Sequence, residues 1–162
     1  MTIRPARIDD VPHLVDMVYE LAEFERARDE CHLTPEQLTA ALFGSSPAVF
    51  CHVAEDAGTP VGMALWFLTY STWEGLHGIY LEDLYVRPSA RGTGTGKALV
   101  AALAAVCVER GYRRLEWAVL DWNPARQFYG ALGAAPKSEW VPYRLSGAPL
   151  AELAASSAAL TS

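Results

Sequence analysis

Arginine, glycine and lysine crowd one short stretch of this chain, where residues 91–97 read RGTGTGK. Glycines at alternate positions (Gly92, Gly94, Gly96) let the backbone turn sharply and let a ligand approach closely, because no Cβ stands in the way. The residues before them, Leu84, Tyr85 and Val86, are strand formers, and Pro88 cannot continue a central ladder. A helix starting near Gly96 leaves its first four N–H groups without intrahelical partners and puts the positive end of its dipole there. That is an anion site. A plain connecting turn is the competing reading, but Arg87, Arg91 and Lys97 gather there in a chain of net charge −6. Spacing narrows the anion. A triphosphate loop needs G-x-x-x-x-G-K-[ST], yet Arg91 stands five before Gly96 and Ala98 follows Lys97. The dinucleotide fingerprint G-x-G-x-x-G fails too, since its last position holds Lys97 or Leu99. What remains is R-x-x-G-x-G at residues 91–96.

Other chemistries find less support. Cys31, Cys51 and Cys107 form no C-x-x-C pair, so buried free thiols are expected, with neither a disulfide framework nor a zinc site. His13, His32, His52 and His77 are scattered without metal-ligand spacing, and no metal is assigned. The acidic balance argues against nucleic acid as a partner and mildly favours a cationic one. No stretch approaches the roughly twenty apolar residues of a membrane span. Residues 1–10 lack the apolar core of a secretory signal, so a cytoplasmic location is expected.

The elements that must position the loop can be read from periodicity. With 162 residues, 51% of them hydrophobic, the chain suits one domain, residues 1–155, with a frayed Ala/Ser-rich tail at 156–162. A strand at 2–4 precedes a helix capped by Asp9 or Asp10, with Val11, Leu14, Val15, Val18, Leu21 and Ala22 as its apolar stripe. Thr34-Pro35-Glu36-Gln37 opens a second helix that Gly44 stops. Strands at 49–55 and 61–69 flank a hairpin turn at 56–60, and a polar, aromatic loop is expected at 70–78. The strand 79–86 and the glycine loop lead into a helix ending before Gly111. A strand at 115–120, a helix at 124–132, a strand at 140–145 weakened by Pro142 and a helix at 149–155 complete the chain. The order predicts an α/β fold with a mixed sheet, helices on both faces, and one βαβ crossover carrying the loop.

Loop and order together resemble the GNAT N-acetyltransferases, whose R-x-x-G-x-G loop cradles the diphosphate of acetyl-coenzyme A. The resemblance is closest to the diamine branch, the spermidine/spermine and thialysine acetyltransferases, and it spans nearly the whole chain. Its marks are EL-A-E-F-E at 20–25, YSTW at 70–73, YLEDLYV at 80–86, RGTGTG at 91–96, and DWN followed by FY--LGA within 121–134. It implies a mostly antiparallel central sheet flanked by helices on both faces, acetyl-CoA as acetyl donor, and a homodimer.

The resemblance also implies site residues. Acyl transfer from a thioester to an amine needs a neutral amine, a polarised carbonyl and a proton for the departing thiolate. Backbone groups of Leu84, Tyr85 and Val86 would lie along the thioester and pantetheine arm. Arg91, Gly92, Thr93, Gly94, Thr95, Gly96 and Lys97 would hold the diphosphate. Tyr129 matches the family's acid, and a phenol of pKa about 10 suits a thiolate. Asn123 would contact the pantetheine amides, or else form an ordinary turn and helix cap before Pro124. An alkylammonium arrives protonated, so a carboxylate must take its proton. Glu82 is assigned as base through water, and Asp83 as a second cation contact or an alternative base; in a regular strand only one of these neighbours faces a given site. Phe24, Glu25 and Trp73 match acceptor contacts, an aromatic face and a carboxylate suiting an ammonium. Where the polyamine enzymes carry an acid two residues before the tryptophan, this chain has Ser71. A lysine-like or thialysine acceptor therefore stands level with a polyamine. An aminoglycoside or protein lysine as acceptor, and a CoA-binding sensor without catalysis, are the alternatives.

Overall fold

A computed structural model describes residues 1–157, and their contacts divide the chain into two compact units, one ending at Trp122 and the other beginning at Asn123. The first unit carries a five-stranded sheet in the order β1-β2-β3-β4-β5. Its strands are β1 (Thr2–Pro5), β2 (Phe50–Asp56), β3 (Thr59–Ser71), β4 (Leu76–Val86) and β5 (Leu115–Glu116). The first four are antiparallel, and β5 joins β4 in parallel through Ile79↔Leu115 and Tyr80↔Glu116. Helices α1 (Val11–Phe24), α2 (Pro35–Phe43) and α3 (Thr95–Glu109) belong to this unit. The second unit holds α4 (Ala125–Ala131) and α5 (Gly147–Ala155).

Local chemistry explains the elements. Thr34 Oγ1 accepts from Gln37 N–H while Gln37 Oε1 accepts from Thr34 N–H, closing the expected capping box ahead of Pro35. The β2–β3 hairpin turns through Ala57 and Gly58, both at positive φ, the twist that suits a two-residue hairpin. Pro12 enters the first turn of α1, whose buried stripe of Val11, Leu14, Val15 and Met17 meets Val53, Met63, Leu65 and Tyr85 on one face of the sheet. Leu99 of α3 packs against Gly62 on the opposite face, where a Cβ on Gly62 would lie 3.3 Å from Leu99 Cδ1. The sheet therefore has helices on both faces, as expected.

The structure corrects three sequence expectations. Residues 70–78 are not a loop: β3 and β4 run on as a long hairpin with only residues 72–75 turning. Stacked Phe67–Tyr80 and edge-on Tyr70–His77 pairs extend its ladder. The strand expected at 115–120 is only two residues long, because β4 is irregular just beyond its paired stretch. Leu65 pairs with Asp83 but Trp66 pairs with Leu81, so Glu82 is an extra residue that breaks the pleat. No strand forms at 140–145, where Pro142 lacks the N–H a ladder requires. Of the tail at 156–162, Ser156 and Ser157 close α5 through bonds to Glu152, Leu153 and Ala154, and the remainder lies outside the described residues.

Candidate active site

The glycine loop has a backbone shape open to close approach. After β4 a short 3-10 turn at Pro88–Ala90 leads to Gly92 (φ 75°) and Gly94 (φ 84°), left-handed conformations that glycine adopts without a Cβ penalty. Gly94 is the N-cap of α3. The first intrahelical bond runs from Ala98 N–H to the Gly94 carbonyl, leaving the N–H groups of Thr95, Gly96 and Lys97 without helical acceptors. Thr93 Oγ1 donates to the Ala90 carbonyl at 2.8 Å and sits 2.8 Å from Thr95 Oγ1, which pins the loop from within. Lys97 is exposed on the first helical turn. Arg91 is tied to the end of the strand it follows. Its Nε donates to the Val86 carbonyl at 2.8 Å, and its guanidinium lies 5.5 Å from the Tyr85 ring and 6.0 Å from that of Phe24.

The bulge at Glu82 decides which acid faces where. Asp83, opposite Leu65, shares the α1 face with Tyr85, whereas Leu81, opposite Trp66, faces the other layer. Simple alternation between the two acids therefore does not hold. Glu82 is exposed, and Asp83 is half-buried. Burial, reinforced by the charges of Glu82 and Glu25, pushes the Asp83 carboxyl up to about 6. Burial also raises Glu25, the C-cap of α1. Three carboxylates thus gather where the end of α1 meets β4, with Phe24 beside them. From Leu81 to Val86 no strand among the described residues pairs with the edge of β4 that faces away from β3. The backbone groups of Leu84, Tyr85 and Val86 lie on that strand, immediately ahead of the loop.

The structure does not bring every expected residue to this place. Trp73 sits on the β3–β4 turn and is 89% exposed. Seven steps along β4 lead from Leu76, at the foot of that turn, to Asp83, about 23 Å at strand rise. Ser71 serves the same turn: its Oγ accepts from Glu74 N–H, and Glu74 in turn pairs with Arg114 at 3.2 Å. Asn123 and Tyr129 belong to the second unit. Asn123 Oδ1 accepts from Ala125 N–H at 2.9 Å, the turn-and-cap arrangement, and Tyr129 lies on α4 beside Phe128. A cavity of about 410 Å³ opens where the start of β2 meets the last turn of α3, lined by Phe50, His52, Trp66, Glu109 and Arg110, and neither the glycine loop nor Glu25, Glu82 or Asp83 lines it.

Two residues by the acids escaped the sequence reading. Trp122 packs 6.0 Å from Phe24, and the Arg26 guanidinium covers its ring at 4.9 Å. Trp122 was visible only as part of the DWN motif, and nothing in the pattern pairs it with the end of α1.

A family model described as Acetyltransferase (GNAT) family matches residues 15–134. The chain belongs to that family. It is 39% identical to the thialysine N-epsilon-acetyltransferase of Bos taurus, over 94% of this chain and 96% of the relative. It is 30% identical to the L-ornithine N5-acetyltransferase of Arabidopsis thaliana, over 90% and 84%. Among solved structures, an integron cassette protein from the mobile metagenome of V. cholerae superposes with a TM-score of 0.80 at 27% identity, covering 96% of this chain and 98% of that one. As a GNAT acetyltransferase the chain is an acyltransferase of acetyl-CoA, and its loop, with open helix N–H groups and room for a close backbone approach, fits a diphosphate. No helix among the described residues is long and apolar enough to cross a membrane.

Proposed function

We propose that this chain moves the acetyl group of acetyl-CoA directly to the primary amine of a small cationic acceptor, a lysine-like amino acid or a polyamine. The reading rests on one observation, the convergence of Glu25, Glu82 and Asp83 beside the open edge of β4 that runs into the anion loop. Acetyl-CoA supplies an activated thioester; the chain's residues hold it, discharge the amine and protonate the thiolate. The loop N–H groups of Thr95, Gly96 and Lys97 neutralise the diphosphate. Backbone N–H groups of β4 at Leu84 to Val86 receive the charge that develops on the carbonyl oxygen.

The acceptor arrives as an ammonium drawn by the three acids. Asp83 or Glu82 takes its proton, directly or through water, and the freed nitrogen attacks the carbonyl carbon. Glu82 is the base assigned by the resemblance. What supports Asp83 is its proton affinity near 6, close to the working pH at which a general base is most effective. Glu82 then acts by charge, holding the ammonium and keeping Asp83 basic. As the carbon–sulfur bond breaks, Tyr129 gives its proton to the thiolate, and the attached nitrogen, which sheds a second proton on becoming the amide, returns one to the phenolate, a role for Tyr129 resting on the resemblance. A homodimer in the cytoplasm belongs to the same reading, and sedimentation velocity checks the first part.

The test is release of free thiol from acetyl-CoA with lysine, thialysine, ornithine, putrescine, spermidine, an aminoglycoside and a lysine peptide. One small amine should stand well above the rest. Bound CoA with no acceptor turned over would overturn the reading in favour of a sensor. Tyr129→Phe should cut turnover while CoA binding survives; unchanged turnover removes Tyr129 from the chemistry.

A further inference from the structure

Helix α1 ends in a way that an arginine does not ordinarily favour. Arg26 stands at φ 62°, one of two non-glycine residues of positive φ among those described. Its N–H donates to the Glu23 carbonyl at 3.0 Å, and Ala27 N–H donates to that of Ala22 at 2.9 Å. This is the paired closing motif whose left-handed position glycine usually takes. A side chain there costs about 1–2 kcal/mol of backbone strain. The same turn aims three consecutive side chains. Phe24 lies against Trp122, Glu25 joins the acid cluster, and the Arg26 guanidinium covers the Trp122 ring.

The neighbouring arginines are committed elsewhere: Arg87 to Glu20, Arg91 to the Val86 carbonyl, Arg28 to the ring of Tyr19. Among the described residues no carboxylate pairs with Arg26. Its planar fork of donors is positioned by an aromatic face and left open to a ligand. Glu25 and Arg26 are chain neighbours, so an acceptor whose reacting amine is held by the acids would have this guanidinium within the site for its far end. A carboxylate there gains charge-assisted hydrogen bonds, while a second ammonium meets a like charge.

We propose that Arg26 determines acceptor specificity by receiving the α-carboxylate of an amino acid whose side-chain amine is acetylated, selecting such acceptors over diamines and polyamines. This rests on the reading of the chain as an acetyltransferase of small amines. The experiment compares lysine with cadaverine, which has the same stem without the carboxylate. Arg26→Gly suits the left-handed backbone, so lost selectivity in it cannot be put down to strain or unfolding. It should lower kcat/KM for lysine roughly ten- to a hundredfold, through KM, in line with a lost hydrogen bond to a charged group. Cadaverine should react as well as before or better, and Arg26→Lys should restore part of the preference. Equal losses for both amines, or an unchanged preference, would overturn the proposal while leaving acetyl transfer intact. Calorimetric binding of the two ligands to the CoA-loaded protein gives a readout independent of turnover. Arg26→Gly should weaken lysine alone, and equal weakening of both ligands, or of neither, overturns the role of Arg26 even if the wild type acetylates neither amine.

Discussion

Asp83 is the residue at which electrostatics and chemistry meet. A carboxyl that binds its proton up to about pH 6 must be ionised to act as a base, so kcat/KM should climb as pH rises through that value. Glu82→Gln removes a like charge and should move the acidic limb to lower pH. Asp83→Asn should abolish the limb and cut turnover on the order of 100-fold, within the usual range for general base catalysis. A limb that stays in place when Asp83 is replaced assigns the proton transfer to another group. The same residue costs stability. Its folded-state pKa is raised, so the native state binds more protons than the unfolded chain between about pH 4 and 6, and stability falls across that interval. Asp83→Asn should therefore stabilise the protein above pH 6 by on the order of 2 kcal/mol, half-burial moderating the full value. A variant more stable and less active is the signature of a strained site.

At the scale of elements, β4 carries most of the design. Its extra residue at Glu82 turns Asp83 onto the α1 face and follows at once on the stretch paired with β5, which leaves an open strand edge running into the loop. The loop then depends on backbone conformations more than on side chains. A Cβ at Gly94 would meet nothing within 4 Å, so the whole effect of Gly94→Ala falls on its φ of 84°. That variant should lose about 1–2 kcal/mol of stability by denaturant unfolding. Its CoA dissociation constant should rise as the loop N–H groups shift. Wild-type CoA affinity in Gly94→Ala would show that the cradle does not depend on the left-handed turn.

For the sheet unit as a whole, Arg4 ties β1, β2 and the start of α1 together. Its guanidinium donates twice to Asp10, at 2.7 and 2.9 Å, and through Nε to Glu55 at 2.8 Å. Asp10 also accepts the Arg7 N–H at 2.7 Å. Both members of the Arg4–Asp10 pair are largely buried, so Asp10→Ala leaves a cation short of a partner and should cost about 3 kcal/mol in urea unfolding. The hydrogen bonds from Arg4 hold Asp10 below the usual carboxylate range, so its contribution is complete above the unfolded value and drains away as pH falls through the folded one. Asp10 and Asp83 thus have opposite slopes. Stability should decline gently from pH 4 to 6 and collapse only in stronger acid, and Asp10→Ala should flatten the acid collapse.

The sequence by itself determined what is written in short-range chemistry. The α2 capping box, the glycine turn into α3 and the helix stripes follow from residues within four positions of one another, where backbone sterics and periodicity act alone. The family followed from several such motifs in one order. What only the tertiary structure decided are the matters in which distant segments compete. Whether residues 70–78 loop or pair depended on Phe67 finding Tyr80. Whether 115–120 formed a full strand depended on a bulge thirty-odd positions earlier. Asp83 gained its proton affinity from burial and from Glu25 on another element, and Arg26 faces Trp122 across nearly a hundred residues. Burial and long-range contact have no local spelling, and in this chain they set which acid keeps a proton up to about pH 6 and where the Arg26 guanidinium lies.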